Sequence, residues 1–305
     1  MNTIAYCNGE LVKADELTVP PYDAGFLLGT TIAEQIRTFN GRPFWLDQHL
    51  ARFARGLDLA EINLPVDRRE LLKAVYTVVA HNYPIQSQTN GATSGDLGVT
   101  IFATPGAYAS YGVPSAGPMF AVHTYPLQFH MWAGHYEVGR DAVFSDHIDI
   151  PTRCWPAELK CRSRMHYYLA SQKARRSNPQ SVPILLDEDG YVAETPIASV
   201  VMFAKDIGFV APDANKVLPG VSLAYLKQTT ARIGIPFQHR DMRPEELLAA
   251  DELFLTSTPF SVLPIVSIDQ APIGSGTPGQ TYTKILNAWS DDVGVSIQEQ
   301  ALAFC

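Results

Sequence analysis

The chain of 305 residues lacks features that mark several large classes of protein. Its cysteines have no metal-ligand spacing, so free thiols in a reducing cytosol are expected for all four: Cys7, Cys154, Cys161 and Cys305. No uninterrupted apolar run approaches the roughly 20 residues of a membrane span. Residues 1–4 place no charged stretch before an apolar one, which predicts no secretory signal. We therefore expect a cytoplasmic protein that does not bind a membrane.

Positive charge is also scarce. The chain has 23 Lys and Arg against 31 Asp and Glu, a net charge of −8, and its longest basic runs are pairs such as Arg68-Arg69. A general nucleic-acid-binding protein would show a basic patch, so no nucleic-acid partner is predicted. The histidines follow no metal-ligand spacing, so no metal site is predicted. The hydrophobic content of 46% is that of a globular protein.

The length exceeds that of one ordinary hydrophobic core, which predicts two domains. Residues 105–118 are rich in Pro, Gly, Ala and Ser, a composition typical of a domain connector or an active-site cover. We predict an N-terminal domain at residues 1–112, an interdomain linker at residues 113–118 and a C-terminal domain at residues 119–305.

Three dipeptides predict hairpins between apolar runs. Asn8-Gly9 and Asn40-Gly41 supply the positive φ angles of a type I′ turn, and Asp189-Gly190 follows the same pattern. The Gly/Ser/Thr-rich residues 89–98 predict a loop. Strands and helices mix without strict βαβ alternation, so the sequence favours the α+β class.

Lys160 lies in an apolar-flanked stretch just before a helical pattern that runs toward Ala174. A lysine that is partly desolvated and close to other cations loses basicity and becomes a usable amine nucleophile. Arg162 and Arg164 are the nearby cations. The alternative is an ordinary solvated surface charge, and this stretch alone does not separate the two.

The segment from Leu218 to Ser222 predicts an anion-binding turn. Gly220 permits close approach of the backbone, and the amides of Val221 and Ser222 open a helix whose N-terminal N–H groups suit an anion. Ser222 is the predicted N-cap. A plain turn before a capped helix explains the same residues.

Several segments, in their order and spacing, resemble the class IV pyridoxal-phosphate aminotransferases, which include branched-chain and D-amino-acid aminotransferases and aminodeoxychorismate lyase. The matching segments are residues 23–41, residues 49–53, Lys160, residues 185–194, residues 218–222 and residues 256–258. The similarity covers nearly the whole chain, from Asp23 to about Asp269. It implies a two-domain fold-type-IV enzyme, similar to D-amino-acid aminotransferase, with pyridoxal 5'-phosphate in the interdomain cleft.

The resemblance implies a role for each matching residue. Lys160 is the catalytic residue that holds the cofactor as a Schiff base, and Glu194 accepts a hydrogen bond from the pyridine nitrogen. The other implied cofactor-binding residues are Arg52, Leu218, Gly220, Val221, Ser222, Ser257 and Thr258. The alternatives are a strand-end surface carboxylate for Glu194 and a solvated helix face for Arg52.

The sequence also departs from the family pattern. Ala33 stands where the family often has an aromatic residue, and Ser199 stands at an asparagine. The carboxylate-trapping arginine and histidine of the D-amino-acid enzymes align with Ser110 and Gly112, so that trap is absent. We hypothesise that a substrate carboxylate is bound by one of three arginines instead, the alternative being that they form ion pairs or tune Lys160: Arg37, Arg162 and Arg164.

The resemblance implies transamination between an amino acid and a 2-oxo acid, both small molecules, by a homodimer whose partner subunit closes the site. A lyase that releases pyruvate, like aminodeoxychorismate lyase, is the alternative with the same cofactor. A non-catalytic protein that binds the cofactor or a partner is the alternative of another class. The retained Lys160 and Glu194 argue against it.

Overall fold

The computed structural model describes residues 2–86, 95–114 and 117–304. Two predicted segments fall partly outside this range, namely the loop at residues 89–94 and the linker at residues 115–116, as does Cys305. The chain forms two compact units. The first contains residues up to Gln128 together with Leu159–Arg164 and Phe304, and the second contains Phe129–Glu158 and Met165–Ala303.

The first unit is built on one antiparallel sheet. Its strands are β1 (Ile4–Cys7), β2 (Glu10–Lys13), β3 (Ile32–Phe39), β4 (Arg42–Pro43), β5 (Leu97–Thr104) and β6 (Met119–Pro126). Their order across the sheet is β2-β1-β6-β5-β3-β4. Its helices are α1 (Ala24–Leu27), α2 (Leu46–Leu59) and α3 (Arg68–Gln86).

The core of the first unit lies on one face of this sheet, under α2 and α3. Apolar residues of α2 recur every three or four positions, so they share one helical face. Leu50 and Phe53 on that face, and Val75 and Val78 on α3, are each at most 1% exposed. They pack in one cluster with every second residue of β3, β5 and β6. The predicted amphipathic helix after residue 46 is confirmed.

Both Asn-Gly hairpins are confirmed. Asn8 and Gly9 have φ values of 46° and 99°, and the turn joins β1 to β2. Asn40 and Gly41 have φ values of 50° and 73°, and the turn joins β3 to β4. An Asn-Gly pair adopts these angles at little cost, which fixes the register of each hairpin.

The second unit contains a mixed sheet of eight strands. They are β7 (Arg140–Phe144), β8 (Val182–Ile184), β9 (Ser199–Ala204), β10 (Gly208–Ala211), β11 (Phe237–His239), β12 (Glu252–Ser257), β13 (Ser261–Ile268) and β14 (Ala271–Pro272). The order is β11-β10-β9-β12-β13-β7-β8, with β14 paired to β13. Its helices are α4 (His135–Val138), α5 (Met165–Ser177), α6 (Val221–Arg232), α7 (Pro244–Leu248), α8 (Gln280–Val293) and α9 (Ile297–Leu302).

The domain bounds differ from the prediction in two places. Strand β6, expected to open the C-terminal domain, pairs with β1 and β5 of the first unit. The segment Leu159–Arg164, expected in the C-terminal domain with Lys160, belongs to the first unit because Cys161 pairs with Ile32 of β3. Both corrections come from hydrogen bonds between distant parts of the chain, which composition does not reveal.

Across the described ranges, no helix is both long enough and apolar enough to cross a bilayer.

Replacing Asp96 by alanine is expected to destabilise the first unit. Its buried carboxylate accepts hydrogen bonds from the Thr38 hydroxyl and from the amides of Asn40 and Gly41, at 2.6–3.1 Å. Leaving these donors unsatisfied costs about 2 kcal/mol or more of unfolding free energy, measured by urea denaturation. The control is Asp15→Ala, an exposed carboxylate. Equal stabilities for the two variants would contradict the assignment.

Candidate active site

The backbone of Lys160 is fixed by strand pairing. The Ala33 amide donates to the Lys160 carbonyl and the Arg162 amide donates to the Thr31 carbonyl, each at 2.9 Å. Cys161 lies between these two bonds, opposite Ile32, and packs against the core of the first unit. Because side chains alternate along an extended segment, Lys160 and Arg162 leave it on the side opposite Cys161.

A buried polar cluster joins β3 to α2 near Lys160. The Glu34 carboxylate accepts from Arg52 Nε at 2.7 Å and from Arg52 Nη2 at 2.8 Å. The other contact of Glu34 Oε2 is His49 Nδ1, also at 2.8 Å. The side chains of Glu34, His49 and Arg52 are 0%, 1% and 9% exposed. A carboxylate this deep is stable only with such partners.

The charge states of this cluster follow from its contacts. Burial would raise the pKa of Glu34, but Arg52 and His49 outweigh it and lower that pKa to about 2. An ionised carboxylate only accepts hydrogen bonds, so the proton between Glu34 and His49 sits on Nδ1 of the histidine. Burial lowers the pKa of His49, so the imidazole is neutral near pH 7.

Lys160 is partly buried, and its amine is less basic than a free lysine. Burial, followed by the positive charge of Arg52, lowers the pKa of Lys160 to about 8. Glu34 opposes this shift, while Arg164 and Arg162 add to it. A lysine with this pKa has a large neutral fraction near neutral pH, and the neutral amine is the nucleophile.

In the second unit, the predicted anion-binding turn opens α6. Gly220 is the N-cap residue and makes no side-chain cap, so the prediction of Ser222 as N-cap is wrong. Ser222 lies instead in the first helical turn and is buried, as is Val221. The first backbone N–H groups of a helix have no acceptor inside it, which leaves them directed toward an anion.

Gly220 is required by close packing. A Cβ atom there would lie 2.9 Å from Ser199 Oγ and 3.2 Å from Leu223 Cβ. Ser199, the residue that replaces the family asparagine, therefore lies directly beside the start of α6. Any larger residue at position 220 must displace the Ser199 hydroxyl.

Glu194 lies beside this turn. It is 9% exposed, and its Oε1 accepts a hydrogen bond of 3.0 Å from the Leu218 amide. Its carbonyl accepts from the Leu185 amide, which holds it in the predicted third hairpin. The Ser257 hydroxyl donates to the Ile197 carbonyl at 2.6 Å, linking the turn that contains Thr258 to the segment after Glu194.

The three arginines proposed for a substrate carboxylate differ in setting. Arg37 is 1% exposed, with its guanidinium carbon 3.8 Å from the Phe39 ring centre and Nε bonded to the Thr38 carbonyl. Arg162 is exposed and Arg164 is partly buried.

Two residues near Lys160 were given no role from the sequence, Glu34 and His49. The signal was present, because Glu34 occupies a core-facing position between Ile32 and Ile36. A charge at such a position needs a buried partner.

The family model described as amino-transferase class IV matches residues 31–268, which is more than half of the chain. The chain belongs to this family. The match contains β3, the Lys160 segment, Glu194 and the start of α6.

Two relatives in this family have different activities. The D-alanine aminotransferase of Bacillus licheniformis is 27% identical over 286 residues, covering 94% of this chain and 95% of the relative. The aminodeoxychorismate lyase of Bacillus subtilis (strain 168) is 26% identical over 275 residues, covering 88% of each chain. These similarities do not separate a transferase from a lyase.

Solved structures match the fold over almost the whole length. The branched-chain amino acid aminotransferase of T.th., complexed with 4-methylvaleric acid, has a TM-score of 0.84 at 23% identity and covers 97% of this chain and 95% of its own. The same enzyme with pyridoxamine 5'-phosphate has a TM-score of 0.82 at 23% identity, covering 96% and 94%. The fold is therefore that of the fold-type-IV aminotransferases, in the α+β class.

Pyridoxal phosphate is the cofactor of the class IV family, and the residues present fit it. Lys160 offers an amine of lowered pKa, and the glycine-opened start of α6 suits a phosphate. Glu194 offers a fixed carboxylate for a ring nitrogen. Each of these groups matches one functional part of the cofactor.

Replacing Arg52 by methionine is expected to make the Lys160 amine more basic, because it removes a positive charge and frees the negative charge of Glu34. In the wild type, labelling of Lys160 by a small amine reagent increases as the pH rises through about 8. In the variant this increase moves to higher pH, and labelling at pH 8 slows by roughly threefold or more. The measurement is peptide mass spectrometry across pH.

The matched control is Arg69→Met, which removes an exposed positive charge on α3. It is expected to leave the labelling curve of Lys160 in place. If Arg52→Met also leaves that curve in place, Arg52 does not set the basicity of Lys160.

Proposed function

We propose that this protein is a pyridoxal-phosphate-dependent aminotransferase that moves an amino group between an amino acid and a 2-oxo acid, with Lys160 as the catalytic amine. The observation that carries the proposal is the lowered pKa of Lys160, about 8, beside Arg52 and Glu34. A group that must bond to an aldehyde and then carry a proton needs both a neutral and a protonated form at working pH.

When bound, pyridoxal phosphate supplies an electron sink that weakens the bond between the substrate α-carbon and its hydrogen. Lys160 Nζ attaches the cofactor and, once released, takes that proton and returns it. The pairing of residues 160–162 with β3 fixes where Nζ can reach. Burial keeps the amine largely neutral and ready to accept the proton.

The other proposed residues bind and orient the cofactor. Glu194, held by the Leu218 amide, accepts a hydrogen bond from the protonated ring nitrogen, since an adjacent carboxylate stabilises the cationic ring. Leu218 packs on the ring. The proposed phosphate-binding residues are Gly220, Val221, Ser222, Ser257, Thr258 and Arg52. The Arg52 guanidinium is oriented by its two-nitrogen contact with Glu34.

We also propose that the enzyme works as a homodimer and in a reducing compartment such as the cytosol. The three cysteines within the described ranges are free: Cys7, Cys154 and Cys161. Small-molecule amino acids and 2-oxo acids are the proposed substrates.

Replacing Lys160 by alanine is expected to abolish both cofactor attachment and transamination. Borohydride treatment of the wild type should leave a cofactor-sized mass on the peptide that contains Lys160, and the K160A protein should show none. Activity should fall by at least about a thousandfold, since the nucleophile and the proton carrier are lost together. Lys284→Ala, an exposed lysine on α8, is the control and keeps both properties.

A wild-type protein that stays colourless after incubation with pyridoxal phosphate, and traps no mass at Lys160, would support the non-catalytic alternative instead.

The lyase alternative is supported by the 26% identity to aminodeoxychorismate lyase. Incubation with amino-acid pools and 2-oxoglutarate, followed by mass spectrometry, separates the reactions. Glutamate formation marks transamination. Pyruvate formation with no added acceptor marks elimination, and its appearance without glutamate would overturn the aminotransferase proposal.

Replacing Gly220 by alanine is expected to weaken the affinity for pyridoxal phosphate. The new Cβ would lie 2.9 Å from Ser199 Oγ, and overpacking of this kind costs about 1–3 kcal/mol, or roughly tenfold or more in affinity. The double variant G220A/S199A removes the clashing hydroxyl and is expected to recover much of the affinity. Titrations followed by absorbance test both, and equal weakening in both would contradict the packing argument.

A further inference from the structure

The sheet of the first unit has a second face, opposite the α2 and α3 core. Strand register places its residues in rows across β3, β5 and β6. One row is Arg37, Gly98 and Tyr125, the next is Gln35, Thr100 and His123, and the third is Ala33, Phe102 and Ala121. These rows contain an arginine and no acidic residue.

Lys160 and Arg162 project toward this second face. They leave the paired segment on the side opposite Cys161, which packs in the core. The Lys160 carbonyl is bonded to Ala33 of the third row. The face therefore carries the proposed catalytic amine at one edge, with Arg162 next to it.

Gly98 creates a place for the Tyr125 ring. A Cβ atom at Gly98 would lie 2.2 Å from Tyr125 Cζ and 2.6 Å from its hydroxyl oxygen, so the ring lies flat against the backbone of β5. His123 lies 6.4 Å from Tyr125 and 6.3 Å from Phe102, measured between ring centres. Together the three rings form one aromatic wall with a hydroxyl at its end.

Arg162 reaches this wall. After burial, the positive charge of Arg162 further lowers the pKa of His123, and it opposes the burial that raises the pKa of Tyr125. Among the described residues, the groups that act electrostatically on Arg162 itself are Arg164, Tyr125 and Cys161, and none is a carboxylate. An arginine beside donor groups, with no neutralising acid among these, is suited to bind an anion.

The spacing indicates which anion. Neighbouring strands are about 4.8 Å apart, so three intervals separate the Lys160 segment from β6 by about 14 Å. A carboxylate bonded to the reacting carbon stays close to the Lys160 amine. A second carboxylate, at the end of a longer substrate, extends across the sheet toward Tyr125.

We propose that Arg162, with the Tyr125 hydroxyl and His123 on the Gly98 face of the sheet, binds the second carboxylate of a dicarboxylic substrate of the glutamate and 2-oxoglutarate class. This inference rests on the proposed function for its biological meaning, because it assigns the substrate class of the same site. Its physical content is a binding preference, which is measurable without turnover.

The test is calorimetric titration of the protein saturated with pyridoxal phosphate, using two unreactive probes. Glutarate carries two carboxylates and butyrate carries one. The wild type is expected to bind glutarate more tightly. Arg162→Met should weaken glutarate binding by about 10- to 100-fold, the value of a charge-assisted hydrogen bond, and leave butyrate binding within about twofold.

Three further variants sharpen the result. Arg69→Met makes the same change of charge on exposed α3 and should alter neither titration. Tyr125→Phe should weaken glutarate binding by about 3- to 10-fold. Gly98→Ala keeps every charge but displaces the Tyr125 ring, so it should also reduce the preference for glutarate.

Equal weakening of both probes in Arg162→Met would assign Arg162 to the carboxylate common to all substrates and would overturn the proposal. An unchanged preference for glutarate, or a wild type with no preference, would overturn it as well. A wild type without transaminase activity that keeps an Arg162-dependent preference would contradict only the proposed function.

Discussion

Two backbone hydrogen bonds between β3 and residues 160–162 determine most of what this site can do. They place Cys161 in the core, and by alternation they send Lys160 and Arg162 to the other side of the sheet. A shift of one residue would exchange these positions and bury two cations in an apolar cluster. The same pairing therefore selects the register and orients the reactive amine, so stability and chemistry depend on one short contact.

The second constraint is electrostatic and involves Glu34. Its carboxylate is fully buried on β3 and takes two hydrogen bonds from Arg52 of α2. Arg52 lowers the pKa of Lys160, while Glu34 acts in the opposite direction. The basicity of the amine is thus a balance between two charges that neutralise each other. Since Arg52 is fixed by Glu34, a change at either residue alters the protonation of Lys160.

Features set by neighbouring residues could be predicted from the sequence. The Asn-Gly turns, the apolar stripe of α2 and the glycine before α6 each depend on a few adjacent positions, and the chain adopts all three. Features set by distant pairing could not. The sequence gives no indication that β6 closes the first sheet or that Cys161 pairs with Ile32. The role of Glu34 was readable in principle from its core-facing position, but its partners, His49 and Arg52, become evident only when α2 packs on β3.

The pairing of Thr31 with Arg162 joins residues that are 131 positions apart along the chain (162 minus 31). Contacts of such long sequence separation form late, because a large loop must close before they contribute. During synthesis the six strands of the first unit are complete at Pro126, well before Lys160 emerges. The sheet can therefore assemble first and offer an open edge, and the reactive lysine is added to a scaffold that has already folded.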